Sequence, residues 1–411
     1  MMFMGESKHK KQIVILYVST LLGVLLGMLS SIVNTHFLQP ADYGDVRYVQ
    51  NIINFISAFL LFGYFLSGAR LMALSDDRWY VRRVKGMMVV ILVLACVVLC
   101  VLMGVCYFLH LNKPVVAVLF LISIPVCFYP LFLNYIDQTT QGDNQMGRLA
   151  LARLLPFLVY VPLGYVLYSR FGATSERMIL LQWGVYSLVY IGIIISTKPL
   201  FRQLKPIWEN LHEENKRYGV QLYIGSLVMV ATNYLAGISL GHFNKDNSEV
   251  GFYTLALTVT APLAALPTIV GTTYFKKFAK QPCIPTKVIF FTVLMTIVTC
   301  VCFLLLIRPV VIYLYSERYA VVGLYASMLS VGFCIHGLGD MFNRYLCSHG
   351  QGVSVRNASI ANGFFKILGY IVLVALFNTN GAIATTIICD VVYFSCLIYY
   401  YVKFVKEGKD G

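Results

Sequence analysis

The chain has 411 residues, of which 59% are hydrophobic and only 12% are charged. A soluble domain carries about 25% charged residues, so too few remain here to solvate the outside of an aqueous globule. The formal charge of +14 does not mark a nucleic-acid binder, because the basic residues lie beside apolar spans rather than on one soluble face.

In chain order, apolar blocks long enough to cross a hydrocarbon core about 30 Å thick fall at 12–34, 48–71, 86–110, 115–135, 149–168 and 178–196. A second set follows at 219–240, 251–275, 288–307, 319–341, 358–377 and 381–402. Solid blocks predict helices, whereas a β-barrel would show alternating segments of about ten residues. The fold class is therefore an all-α polytopic membrane protein of twelve transmembrane helices in two six-helix lobes. The first block follows Lys8, Lys10 and Lys11, but it is too long for a signal peptide and lacks a small-residue cleavage site.

Numbering from a cytoplasmic N-terminus, the inside segments hold 22 of the 32 basic residues and the outside segments seven. That bias places both termini in the cytoplasm. Pro125, Pro130, Pro156, Pro162, Pro262 and Pro267 are expected to interrupt spans four, five and eight. Between the halves, residues 198–217 place Leu200, Phe201, Leu204, Ile207, Trp208 and Leu211 on one helical face, as in an amphipathic helix lying in the interface. The expected organisation is thus a lobe at 1–197, a linker at 198–217 and a lobe at 218–411.

Two short motifs repeat. Asp42-Tyr43-Gly44 precedes span two and Glu249-Val250-Gly251 precedes span eight; Gln141-Gly142 with Arg148 follows span four and Gln351-Gly352 with Arg356 follows span ten. Offsets of 207 and 210 at equivalent places point to a tandem duplication of six spans. Of the eleven cysteines only Cys283 and Cys347 fall in loops, both assigned to the cytoplasm, where thiols stay reduced. The seven histidines show no ligand spacing, so no metal is expected. The sequence has no P-loop and no loop long enough for a soluble catalytic module, which implies no cofactor and no enzyme.

Residues 34–73 carry Leu38-Gln39-Pro40, Asp42-Tyr43-Gly44, Arg47-Tyr48, Asn51, Phe62-Gly63, Ser67 and Ala69-Arg70. This stretch resembles the opening of the Wzx-type polysaccharide flippases, in the superfamily that also contains MATE exporters and lipid II flippases. The twelve-span plan and duplicated halves extend the likeness along the chain; the second half carries it by architecture. The resemblance implies transport of undecaprenyl-diphosphate-linked oligosaccharide across a bacterial inner membrane for O-antigen or capsule assembly. It also implies two lobes around a cationic cavity, and a polysaccharide polymerase and chain-length regulator as partners.

Ionisable residues inside a bilayer are costly, roughly 2.5–3.5 kcal/mol on insertion scales. Arg47 and Arg70 stand 23 residues apart, which on one helix puts them near opposite interfaces. Arg70, Arg153 and Lys366 share one depth in the cytoplasmic third of the membrane, and such cations suit a diphosphate. Arg47, Arg70, Arg153 and Lys366 are therefore the candidate substrate-binding residues, with snorkelling to headgroups as the plain alternative. Asp390 near the middle of span twelve and Asp340 in span ten are candidates for ion coupling or a structural pair, with Lys366 as the expected partner of Asp390. Two other functions compete. A MATE-like exporter shares the fold but should line its cavity with carboxylates, and a glycan polymerase or ligase needs a large periplasmic loop.

The topology is directly testable. With all native cysteines removed, a cysteine at position 245 should react with an impermeant thiol reagent from the periplasmic side and one at position 205 should not. Periplasmic labelling of position 205 overturns the assignment.

Overall fold

The computed structural model describes the backbone of residues 2–410 and the side chains of residues 18–407, apart from 20, 21, 225, 226, 229 and 276. Lys8, Lys10, Lys11, Lys276 and Lys409, which carry part of the charge bias, lie outside the described side chains. Among the described residues there are helices and no strands.

The chain divides into two compact units, Met1–Val230 and Ala231–Gly411; the sequence motifs suggest a boundary at 198–217. Unit 1 begins with α1 (Met2–Phe37), α2 (Pro40–Phe59), α3 (Tyr64–Ala73), α4 (Arg78–Leu109) and α5 (Pro114–Ser123). It continues with α6 (Tyr129–Gly142), α7 (Met146–Phe171), α8 (Ser175–Ser196) and α9 (Leu204–Glu214). A π-helical turn, Asn215–Gly219, leads directly into α10 (Val220–Phe243), along which the chain passes into unit 2. There follow α11 (Ser248–Phe278), α12 (Thr286–Tyr315), α13 (Ala320–Ser348) and α14 (Gly352–Asp410).

Each of the twelve expected spans falls on a helix or a helix pair. Span two lies on α2 and α3, span four on α5 and α6, and spans eleven and twelve on the two arms of α14, which breaks at Asn378 (φ 50°, ψ −129°). Among the described residues, seven helices are long and apolar enough to cross a membrane alone, and the α2–α3 pair, bent by 59°, makes eight. The smaller number has simple origins: α5 and α6 are each short, α14 holds two spans, and α1 and α10 include side chains outside the described set.

Proline placement corrects the sequence reading. Pro125 falls in the link between α5 and α6 and Pro130 in the first turn of α6, so span four is interrupted as expected. Pro156 and Pro162 lie within an unbroken α7, and Pro262 and Pro267 within an unbroken α11. Neighbouring groups in a membrane bundle can satisfy the carbonyls that proline leaves open. The break in span two contains no proline; it turns through Phe62 (φ 45°) and Gly63 (φ 79°), the latter in a left-handed conformation that glycine adopts without steric cost.

The linker differs too. The helix starts at Leu204, because Lys198 (φ 54°) and Gln203 (φ 53°) break the preceding turn, and Leu200 N–H donates to the Arg82 carbonyl at 2.9 Å. Ile207 and Leu211 are buried against α3 and α4, while Phe201 is 58% exposed. The apolar face of this helix thus packs on unit 1 itself.

The repeated motifs acquire a physical meaning. In unit 1 the Ser175 hydroxyl, at the turn before span six, donates to the Asp42 carboxylate at 3.3 Å. In unit 2 the Thr379 hydroxyl, at the turn before span twelve, donates to the Glu249 carboxylate at 2.6 Å. Each acidic residue ties the first turn of its helix to the tip of the last hairpin. After spans four and ten the chain makes the same helix stop: Asn144 N–H donates to Gln141 O and Gln145 N–H to Thr140 O, matching Gly350 N–H to Cys347 O and Gln351 N–H to Leu346 O. This is a Schellman turn with a left-handed residue at Asn144 and Gly350. The structural register therefore pairs Gln145, rather than Gln141, with Gln351.

Close helix approach supplies the packing. A Cβ at Gly337 of α13 would lie 2.7 Å from the Ala264 carbonyl oxygen of α11, and one at Gly381 would lie 1.9 Å from the Leu373 carbonyl oxygen across the α14 hairpin. Small residues let membrane helices approach closely enough for dispersion to hold them. Gly337→Leu should destabilise unit 2 by about 1–3 kcal/mol through overpacking, seen as a lower unfolding temperature in detergent. An unchanged unfolding temperature overturns that account.

Candidate functional site

Unit 2 encloses a cavity of about 420 Å³ whose wall includes Asn233 of α10, Tyr253 and Thr258 of α11, His336 of α13 and Lys366, Tyr370, Thr386 and Asp390 of α14. The α14 hairpin explains the grouping. Its arms run side by side, so Tyr370 of one reaches Thr386 of the other at 3.1 Å, and Tyr253 reaches the same hydroxyl at 2.8 Å. Three hydroxyls thereby satisfy one another, as buried polar groups must.

Two candidate residues from the sequence meet in this cavity, but not as expected. Lys366 Nζ donates to Asn233 Oδ1 at 3.2 Å, and among the described residues no ion pair joins it to Asp390. Asp390, only 5% exposed, takes His336 Nδ1 at 2.9 Å instead. Matching depth on a hairpin places two residues at one level; it does not turn their side chains toward each other. The His336 ring stacks on Tyr393 at 4.9 Å. Tyr393 in turn donates to Asp340 Oδ1 at 3.1 Å, and Thr268 donates to Asp340 Oδ2 at 3.0 Å. Asp340 and Asp390 are thus two ends of one polar chain running through His336 and Tyr393. His336 lies in the middle of an apolar span, one turn before Asp340, and that position was the legible signal which ligand spacing alone overlooks.

In unit 1, Arg47 is held within α2: Nε donates to the Tyr43 hydroxyl and Nη1 to Gln50 Oε1, each at 2.9 Å. Gln50 donates onward to Gln182 Oε1 at 3.3 Å, and Gln182 donates to Ser30 and Tyr186, both at 3.3 Å. Arg70 lies on α3, beyond the break, so the picture of Arg47 and Arg70 on one straight helix is overturned by the 59° bend. Arg70 Nε stands 3.2 Å from Glu214 Oε1, with its guanidinium 4.4 Å from the centre of the Tyr218 ring. Arg153 Nη2 stands 4.0 Å from Asp137 Oδ1. Arg70 and Arg153 thus each face a carboxylate of their own, and both belong to unit 1, whereas Lys366 belongs to unit 2.

A further charge, Lys85, stands one residue before the third apolar block. It is 3% exposed, and its Nζ lies 2.5 Å from Asp143 Oδ2. Among the described residues, no group of three His, Cys, Asp or Glu side chains could share a metal ion.

These helices, with two broken spans and a cavity of polar and charged groups in unit 2, share the fold of MATE exporters and lipid II flippases. The chain belongs to the polysaccharide biosynthesis protein family, whose pattern matches residues 9–275. An inward-closed structure of the lipid II flippase MurJ is similar over 95% of this chain and 89% of its own, with a TM-score of 0.73 and 13% identity. An inward-facing multidrug resistance MATE transporter of the MOP superfamily is similar over 96% and 99%, with a TM-score of 0.69 and 15% identity. A MOP superfamily transporter from Pyrococcus furiosus Vc1, described as having a binding pocket of reverse polarity, gives a TM-score of 0.61 at 15% identity, over 96% of each chain. No curated protein matches the sequence itself. The protein is a multi-pass membrane protein, and the solved structures that share its fold include a flippase and transporters.

The observed pairing of Asp390 makes a prediction. In a double-mutant cycle on thermal stability, His336→Gln and Asp390→Asn should couple by about 0.5–3 kcal/mol, the range for groups in contact. The Lys366→Met and Asp390→Asn pair should couple less. A larger coupling for the lysine pair overturns the assignment of His336 as partner.

Proposed function

We propose that the protein moves undecaprenyl-diphosphate-linked oligosaccharide repeat units from the cytoplasmic to the periplasmic leaflet of a bacterial inner membrane. The product would feed O-antigen or capsule assembly, with a polysaccharide polymerase and a chain-length regulator as partners downstream. The observation that carries this reading is family membership across residues 9–275. The likeness in fold to a lipid II flippase over 95% of the chain agrees with it. In this reading both termini are cytoplasmic and the lobes alternate their opening around the cargo.

The chemistry follows from the cargo. A diphosphate is multiply anionic, and cations in a low-dielectric setting attract it far more strongly than in water. Arg suits bidentate contact with phosphate oxygens and Lys acts as a point charge. Lys366 at the cavity wall, with Arg47, Arg70 and Arg153, supplies that set, while Asn233, Tyr253 and Tyr370 offer the hydrogen bonds a glycan needs. Asp390 and Asp340 bear on energy coupling, since the sequence has no nucleotide site.

A second reading rests on one observation. Asp390 is a buried carboxylate at the cavity wall, as an ion-coupled exporter of small cations would require. The polymerase or ligase reading gains no support, because the two longest connections between helices, 197–203 and 279–285, are too short to carry a catalytic loop.

In a strain lacking the gene, alanine at Arg47, Arg70, Arg153 or Lys366 should lower surface polysaccharide about tenfold, the cost of one charge-assisted contact of roughly 1.5 kcal/mol. Lipid-linked repeat units should accumulate in the membrane and protein level should be unchanged. Full complementation by all four variants overturns the cationic-site reading. Unaltered polysaccharide in the null strain, with loss of resistance to cationic drugs, favours the exporter.

A further inference from the structure

The break in span two is held open by the linker. At the end of α2 the carbonyls of Ala58 and Phe59 lack helical partners, and the Tyr223 hydroxyl donates to them at 3.1 and 2.9 Å. Asn215 Nδ2 donates to the Phe62 carbonyl at 3.1 Å, and Asn215 Oδ1 accepts from the fully buried Ser67 hydroxyl at 3.1 Å. Asn215 and Gly219 bound the π-helical turn that joins α9 to α10. A Cβ on Gly63 would fall 2.5 Å from the Gly219 carbonyl oxygen, so the two backbones touch where neither tolerates a side chain. On the outer side, Tyr64 stacks on Trp208 at 5.4 Å, and its hydroxyl meets His212 Nδ1 at 3.0 Å.

The charged element of this clamp is Arg70. Its Nε faces Glu214, the last residue of α9, and its guanidinium covers Tyr218 inside the π turn. Glu214 Oε1 is buried and makes no hydrogen bond, so it faces Arg70 in a geometry that leaves the carboxylate incompletely satisfied. The Arg70 side chain is 46% exposed and open to a second anion. A π turn is a local defect of helical register, of the kind that recurs at functional sites.

We propose that Arg70 is a latch that the anionic group of the cargo opens: a diphosphate engaging Arg70 displaces Glu214, and the α9–π turn loosens its hold on the α2–α3 break. This rests on the flippase reading for the identity of the anion; the Arg70–Glu214 contact does not. Phosphate oxygens compete well because they offer the guanidinium two parallel bonds, whereas Glu214 offers it one poorly aligned oxygen. Binding at Arg70 is thereby linked to movement at the start of α10, the helix that leads from one unit into the next. By reciprocity, anything that frees the linker tightens binding of the anion.

Trp208 is a built-in reporter, because its ring is stacked in the clamp. The test uses full-length protein in lipid nanodiscs, with Trp79 and Trp183 replaced by phenylalanine and folding checked by circular dichroism. Farnesyl diphosphate is the probe. Glu214→Gln should shift Trp208 emission without ligand and bind the probe about 5- to 10-fold more tightly, a usual size for coupling between sites. In the parent, the probe should produce the same emission shift; in Arg70→Ala it should produce none.

Unchanged emission in Glu214→Gln overturns the latch and leaves the flippase reading untouched. Equal affinity in the parent and Glu214→Gln overturns the competition while the flippase reading stands. An emission shift in Glu214→Gln with no probe binding to any variant overturns the proposal together with the choice of a diphosphate as cargo.

Discussion

Every interruption of a helix in this protein must answer one constraint. Backbone N–H and C=O groups cannot be left open in hydrocarbon, where no water is present to take them. The two breaks in the spans and the turn between spans eleven and twelve are held in different ways. At residues 60–63 the exposed carbonyls are taken by Tyr223 and Asn215, side chains from far along the chain. At 124–128 the link is short, with Val126 N–H donating to Ser123 O and the Ser187 hydroxyl of α8 donating to Val126 O. At Asn378, between two spans, the tip is held by side chains alone, the Thr379 hydroxyl donating to the Glu249 carboxylate. A broken helix in a membrane thus exists only as part of a tertiary arrangement that completes it.

The same requirement governs the charges. Arg47 is absorbed by Tyr43 and Gln50, Arg153 faces Asp137, Lys85 meets Asp143, and Asp390 meets His336. Because an ion in low dielectric is expensive when alone, each has been given a local counterpart. Under the proposed function, with an anionic cargo, this has a consequence. A cation already held by a carboxylate does not capture phosphate without exchanging partners, and partner exchange is a means of converting binding into movement. Lys366 is of a different kind, since the side chain it meets, Asn233, is neutral.

Within each unit, the acidic residue of the repeated motif does one mechanical job, tying the first turn of a helix to the tip of the last hairpin. The duplication is therefore visible both as a weak sequence repeat and as a conserved connection. It ceases to be visible in the polar interiors. Unit 1 builds a tyrosine and glutamine network around an arginine, and unit 2 builds a cavity with a lysine, a histidine and one carboxylate. The scaffold can be copied while the interior diverges, because connections between helix ends depend on backbone geometry and interiors depend only on side chains.

Composition and hydropathy alone determined that the chain is a helical membrane protein, where its spans lie, and which five charged residues they contain, because these follow from the cost of placing charge and open backbone in lipid. The resemblance of 34–73 reached the family for the same reason: it is carried by a contiguous turn. The tertiary structure decided the rest. Proline marked one break and missed the other, because the bend at Gly63 depends on Asn215 and Gly219, some 150 residues away. Depth along a hairpin suggested Lys366 for Asp390, but side-chain direction is set by helix rotation, which one-dimensional spacing does not record, and it turned Asp390 to His336. The partners of Arg70 and Arg153 were likewise invisible in the sequence, since Glu214 and Asp137 belong to segments that read as linker and as loop margin until the helices pack.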